Sequence, residues 1–362
     1  MREEKNYWVA FSAFPQIGPK RFSLLRKYFG SAKRAWEAKK ETLLKIGFSE
    51  KLVFDFIKFR EGFDLSSYFL RMEKLQIRAI TFEDKEYPES LKSTADRPFL
   101  LYLIGEIKPQ DSLALGVVGT RKITSYGREV TETLVTNLAA FSLTIVSGLA
   151  YGVDSVAHNA AIESGGRTIG VWAGGLDSVF PGYRKNLVEK IIKNKKGAVI
   201  SEYPLGFSPR VSTFPQRNRI IAGLSLGVLV TEAAEDSGSL ITAKFCQKLK
   251  RPVFAVPGPI TSSLSGGTAK LLKEGAKLVY NVKDILNELK IEQKVKIQEA
   301  RKILPDDKNE EMILKILERE PKSVDQIVRE SKRETGEVVA ILALMEIKGK
   351  IKDLGGAVYA VC

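Results

Sequence analysis

Apolar positions change their spacing along the chain, and each change marks a different kind of element. From Trp8 to about Leu70 they recur at helical intervals, with Phe22, Leu25, Tyr28 and Phe29 followed by Ala35 and Trp36, Leu43 and Leu44, and Val53 to Ile57, which predicts a small helical module. Between Gln76 and Gly105 the runs IRAITF and PFLLYLIGEI flank a proline-bearing loop and read as short strands that extend the sheet to follow. Beyond them, apolar runs alternate with helical stretches as far as Leu289, with strands expected at 113–118, 143–147, 168–173, 198–201, 227–231, 252–256 and 277–280. Uninterrupted apolar runs suit strands buried on both faces, so the pattern is that of an α/β protein with a mostly parallel, doubly wound sheet. The charged stretch 290–308, which contains Pro305, reads as a linker. After it come three short helices and a hairpin, with Ser323 and Gln326 spaced as a capping box, which is a winged-helix pattern. The expected division is therefore 1–70, 71–110, 111–289, 290–308 and 309–362.

Charge narrows the class of partner. The 362 residues carry a formal net charge of +14, with a pI near 9.5, and 44% of them are apolar. Surfaces of that sign favour polyanions, nucleic acid first among them, although lysine-rich surfaces also serve solubility. The longest apolar run, 220–230, is about half of the roughly 20 residues that span a bilayer. The charged N-terminus is followed by no apolar segment of signal-peptide type, and Cys246 and Cys362 have no ligand or redox spacing, so a cytoplasmic protein is expected.

Candidate chemistry gathers at the ends of the expected strands. The stretch FPQRNRIIAGLS places Arg217, Asn218 and Arg219 at the start of an apolar helix, where orphan N–H groups and the helix dipole favour phosphate. Small-residue turns follow the other strands: Gly119-Thr120-Arg121, then Ser147-Gly148-Leu149-Ala150-Tyr151-Gly152, then Gly174-Gly175, then Ser237-Gly238-Ser239. Glycine admits close approach of a ligand to the backbone, and arginine forks onto phosphate or stacks on bases. The expected site is a phosphate-lined crevice along one sheet edge. Asn218 can cap its helix or read a base edge; Tyr151 and Phe214 can stack on bases or belong to the core. An Ile17-Gly18-Pro19-Lys20 turn in the helical module is either a plain connector or a backbone phosphate contact of the helix-hairpin-helix type.

Signals for catalysis are sparse. The single histidine, His158, sits inside a helix and reads as a structural hydrogen-bonder; zinc-binding, nucleophile-elbow and P-loop patterns are missing. Asp154, Glu202, Glu232 and Asp236 fall at strand ends, where a metal or ribose contact stays open. The expectation is no catalytic residue, no metal and no cofactor.

These residues carry a resemblance. VGTRKITSYG, SGLAYGVDSVAH, ISEYPLG, FPQRNRIIAGLS and SGSLITA, followed by VPGPI and GTAKLLKEGA, resemble the DprA/Smf family of bacterial DNA-processing proteins across almost the whole chain. The resemblance implies a Rossmann-like domain that binds single-stranded DNA, dimerises, and loads a RecA-type recombinase onto incoming DNA while displacing single-strand-binding protein. It also implies a helical N-terminal domain of the SAM or helix-hairpin-helix type, a C-terminal winged helix, and no turnover. Carried over by position, the DNA site takes in Gly119, Thr120, Arg121, 147–152, Arg217, Asn218, Arg219 and 237–239.

Departures and rivals belong beside it. The family's YP pattern places an asparagine where Phe180-Pro181-Gly182-Tyr183-Arg184 has Arg184, and its GTN reads Gly267-Thr268-Ala269. The expected recognition helix, 335–348, carries Glu337 and Glu346 with few basic groups, which favours an accessory or protein-contact role. A rival is a nucleotide-processing enzyme of the lysine-decarboxylase-like phosphoribohydrolase type, but Thr242 stands where its carboxylate belongs. A transcriptional regulator with a nucleotide-sensing core is a third.

Overall fold

Strand pairing organises residues up to 289 around one nine-stranded sheet. The computed structural model describes residues 2–179, 183–291, 307–317, 320–348 and 350–361. The N-terminal stretch folds as α1 (Arg2–Ala13), α2 (Pro19–Phe29), α3 (Ala32–Trp36), α4 (Lys40–Lys45), α5 (Glu50–Gly62) and α6 (Leu65–Lys74). Side-chain caps set several starts: Ser31, Ser49 and Asp64 each accept a backbone N–H from the first turn of the helix that follows. Then come β1 (Arg78–Thr81), α7 (Glu89–Lys92), β2 (Leu100–Gly105), β3 (Ala114–Val118), α8 (Ser125–Ala140), β4 (Thr144–Ser147), α9 (Val153–Glu163) and β5 (Thr168–Trp172). The series continues with α10 (Tyr183–Ile192), β6 (Gly197–Ser201), α11 (Thr213–Leu224), β7 (Val228–Val230), α12 (Ser239–Lys248), β8 (Val253–Ala255), α13 (Gly266–Lys273), β9 (Lys277–Leu278) and α14 (Val282–Leu289).

The strand order is β1-β2-β6-β5-β4-β3-β7-β8-β9. From β6 to β9 every neighbour is parallel, while β2 joins β6 antiparallel and β1 joins β2 antiparallel. The chain builds outward from β3 through β6, then crosses back and builds the other way from β7. Loops leaving β3 and β7 therefore diverge, and a crevice opens between them at the carboxyl ends.

Both faces of the sheet are covered. Along β2, Leu100, Tyr102 and Ile104 pack with Trp8, Phe11, Phe22 and Trp172, while Leu101 and Leu103 face Val146, Ile220 and Val230 on the other side. The N-terminal helices thus share one apolar core with the sheet, with Trp8 edge-on to Phe22 at 4.7 Å and Phe11 stacked on Phe56 at 5.4 Å. Two arginines in the basic balance are structural. Arg167 forks onto Asp111 at 2.7 and 2.8 Å, and Arg251 donates to the carbonyls of Ala222, Gly223 and Ser225, satisfying the end of α11.

Residues 290–362 form a second unit. Of the expected linker, residues 292–306 lie outside the described residues. The unit holds α15 (Lys308–Leu317), β10 (Lys322–Ser323), α16 (Val324–Ser331), α17 (Thr335–Ile347), β11 (Ile351–Asp353) and β12 (Val358–Val361), with a β10-β12-β11 antiparallel sheet, which is a winged helix. Ile313, Ile327, Val338, Leu342, Met345 and Ile351 form its core. The Ser323–Gln326 capping box forms, with Ser323 N donating to Gln326 Oε1 at 2.9 Å. Outward from α17 point Val339, Leu344 and Ile347, an apolar rather than basic surface.

Candidate nucleic-acid interface

The crevice at the switch between β3 and β7 has a volume of about 650 Å³. One wall is the loop after β3, with Gly119, Thr120, Arg121 and Lys122; the other is the loop after β7, including Asp236 to Ser239; α11 closes it with Phe214 and Asn218. Backbone bonds hold the walls together: Thr120 N donates to Glu232 O at 2.7 Å and Val153 N to Thr120 O at 3.1 Å. Arg121 is exposed, and its guanidinium lies over the Phe214 ring at 5.2 Å. Lys122 is exposed beside it, its N–H donating to Thr120 Oγ1 at 3.1 Å. Among the described residues neither cation forms an ion pair. Across the gap, Ser237 Oγ and Ser239 Oγ lie 2.7 Å apart at the start of α12, and Asn218 Nδ2 donates to Gly238 O at 3.3 Å. A Cβ on Gly238 would meet nothing within 4 Å. Thr242 Oγ1 is buried on the floor without a hydrogen-bond partner among the described residues.

Other expected site residues are absorbed by the fold. Because α11 begins at Thr213, Arg217 and Arg219 stand in its second turn, beyond the reach of the helix-start amides. Arg217 is 4% exposed and donates to Val171 O at 2.5 Å. Its guanidinium presses on Gly148, where a Cβ would collide with Nη1. Beside it, the carboxylate of Asp154 accepts from Gly148 N at 3.1 Å and Ala150 N at 3.3 Å, so it caps the preceding loop instead of its own helix. Burial raises the Asp154 carboxyl against the opposing pull of Arg217. Burial, with Arg217 adding to it, holds the His158 imidazole down at about 3, and its Nδ1 meets Thr168 Oγ1 at 2.6 Å. His158 is a neutral structural group.

The remaining turns follow the same logic. Ser147 is fully buried and donates to Val117 O at 2.6 Å. Gly152 has φ +76 and starts α9 where any Cβ would strike Thr120 O. Gly119 packs on Val153, and Gly174 and Gly175 lie under the loop 204–209, with Gly175 N donating to Phe207 O at 2.8 Å. In these turns the close approach is of the chain to itself. Arg219 turns away from the crevice, paired with Glu202 and with Asp96 at 3.7 Å. The Glu202 carboxyl is raised by burial, against the pull of Arg219.

The open carboxylates resolve similarly. Glu232 accepts Thr124 N at 2.9 Å and Oγ1 at 2.6 Å, while Asp236 is exposed. No group of three or more His, Cys, Asp or Glu among the described residues is placed to hold a metal. Gly267 packs under the backbone of Ala233 and Ala234, and Thr268 Oγ1 donates to Ser265 O at 3.1 Å, so the GTA turn is structural. Residues 180–182, and the side chain of Arg184, lie outside the described residues. Sequence reasoning passed over Lys122, whose signal was its place directly after Arg121 in the same turn. Among the described residues no helix is long and apolar enough to cross a membrane.

With this geometry in place, the relatives decide the family. The DNA recombination-mediator protein A family matches residues 78–290, and the DprA winged helix domain matches residues 298–357. The chain belongs to the DprA family. It is similar to Protein Smf of Synechocystis, 32% identical over 98% of both chains, and to DNA processing protein DprA of Bacillus subtilis, 41% identical over 59% of this chain and 71% of that one. Among solved structures, DprA of Streptococcus pneumoniae superposes with a TM-score of 0.67 at 34% identity, covering 78% of this chain and 97% of that one. DprA of Helicobacter pylori, described for its single-stranded DNA binding mode, has a TM-score of 0.53 at 32% identity, covering 59% and 95%. As a DprA family member the chain is a DNA recombination mediator with an α/β, mostly parallel sheet and a winged helix.

Proposed function

We propose that the crevice between β3 and β7 binds single-stranded DNA without chemical turnover, and that the protein acts in DNA uptake by presenting that strand to a RecA-type recombinase. The observation that carries this reading is the exposed Arg121 guanidinium on the Phe214 ring, next to Lys122 and opposite the α12 start. A planar cation backed by an aromatic can take a base face or a phosphate, and its neighbour neutralises the next phosphate. Arg121, Lys122, Thr120, Asn218 and Ser237 to Ser239 are the contact residues; Gly119 and Ala150 shape the walls. Arg217 acts at one remove, by holding the loop 148–154. Homodimerisation, displacement of single-strand-binding protein and a cytoplasmic setting extend the reading and rest on family likeness.

A reading without turnover is supported by three of the four strand-end carboxylates, Asp154, Glu202 and Glu232, each engaged by the chain's own donors, while Asp236 stands exposed at the crevice. Fluorescence anisotropy with labelled oligothymidine tests the binding. Affinity should fall with salt at a log–log slope of about −0.7 per phosphate neutralised. Arg121→Ala should weaken binding roughly tenfold or more, uniformly across sequences. A preference for duplex, or a salt-independent affinity, would remove the proposal, and release of free base from AMP would replace it with nucleotide hydrolysis.

A further inference from the structure

A second depression, about 640 Å³ in volume, lies on the opposite side of the first turns of α11, between the helical module and the loop after β6. The Ile17-Gly18-Pro19-Lys20 turn, to which the crevice assigns no role, forms one wall. On the facing wall, Phe207 stacks on Tyr203 with centroids 4.7 Å apart and 18° between the ring planes. Tyr203 is fixed by its Oη at 2.9 Å from Gln216 Oε1. Arg210, exposed, caps this stack with its guanidinium 5.3 Å from the Phe207 centroid.

That arrangement repeats the one in the crevice. Arg121 over Phe214 and Arg210 over Phe207 stand on either side of the α11 start, and the ridge between them carries Val211, which is 89% exposed. Phe207 and Phe214 are seven residues apart, so the two platforms are at most ~25 Å from each other, a span of a few nucleotides. The charge is complementary to a polyanion. Lys20 and Arg21 are exposed at the groove's rim and, with Arg210, form no ion pair among the described residues, while the groove's acids Asp96 and Glu202 are already held by Arg219. Guanidinium groups over rings present a planar cationic face to the next base, and the stack beneath keeps it in place.

Resting on the crevice's reading as a single-strand site, we propose that the Arg210–Phe207–Tyr203 stack is a second base-stacking subsite that takes the same strand after it crosses the Val211 ridge, with Lys20 and Arg21 neutralising its phosphates.

The test uses the full chain and labelled oligothymidines of about 4 and about 16 nucleotides, lengths that bracket a short and a long single-strand site. Arg210→Ala should weaken the long oligomer roughly tenfold and leave the short one within about twofold, with an unchanged melting temperature. Lys20→Ala with Arg21→Ala should make the salt slope of the long oligomer shallower by about 0.7 for each phosphate that is no longer neutralised. Arg210→Lys keeps the charge but not the planar face, so it should hold the salt slope while relieving the quenching of a 2-aminopurine placed near one end of the long oligomer. If Arg210→Ala changes neither affinity nor quenching while Arg121→Ala weakens both lengths, the second subsite is overturned and the crevice stands. Loss at Arg210 with none at Arg121 would overturn the crevice as the primary site and keep the strand in the groove.

Discussion

Two parts of the sheet's carboxyl edge share the same small-residue turns and differ in what fills them. At β4 and β5 the glycines of the turns are packed by the protein, with Arg217 under Gly148, Asp154 on the loop amides and the 204–209 loop over Gly174 and Gly175, though Ala150 still borders the crevice. At β3 and β7 the turns carrying Arg121, Lys122 and Gly238 face open space. The difference teaches that a small residue marks close approach without saying what approaches. A ligand site is where the chain leaves donors and cations uncommitted.

Arg217→Ala draws the contrast most sharply. Removing the cation would leave Asp154 buried without its charge partner, and a loss of about 3–5 kcal/mol in thermal or denaturant unfolding is expected. Arg121→Ala should stay within about 0.5 kcal/mol of the parent, and equal stabilities for the two variants would erase the distinction. Gly148→Ala comes next: its methyl group would meet the guanidinium well inside van der Waals contact, so a cost of about 1–3 kcal/mol is expected in the same assay. The third probe is pH. His158 titrates near 6.5 when unfolded and at about 3 in the fold, so the stability it contributes is complete above 6.5 and is lost as pH falls toward 3. The loss should approach about 1.4 kcal/mol per pH unit, and His158→Gln should flatten it. Asp154, with its raised carboxyl, works in the opposite sense, favouring the fold at acid pH, so the difference between parent and variant isolates the imidazole. A parallel pH dependence in both proteins would show that His158 is not a buried neutral group. Smallest is Gly238→Ala, expected within about 0.5 kcal/mol in urea unfolding, since φ there is −61 and no atom waits for the methyl.

Much of the architecture was legible because its signals are local. Continuous apolar runs gave β3 to β8 close to their expected bounds, and the Ser323–Gln326 spacing announced the start of α16. The last strand shrank to Lys277–Leu278, both exposed at the sheet's edge, while Val279 beyond it is buried and donates to Ala255 O at 3.0 Å. For the candidate site, Arg121 was legible as an exposed crevice cation because it follows a buried strand and a small-residue turn. Arg217 and Arg219 carried the same local signal and led elsewhere, since α11 starts four residues before Arg217 and sends the two side chains to different neighbours. Arg210 gave no signal, because the stack with Phe207 and Tyr203 that makes it a candidate exists only once the chain is folded.

By itself the chain's pattern determined the parallel sheet, the covering helices, the winged helix and the basic charge balance, because periodicity and charge are properties of neighbours along the backbone. Which arginines stay uncommitted was decided only in three dimensions. An isolated guanidinium is drawn to the first carboxylate or carbonyl the fold offers. Only packing determined that Arg217 and Arg219 meet such groups, while Arg121 has a ring on one side and solvent on the other.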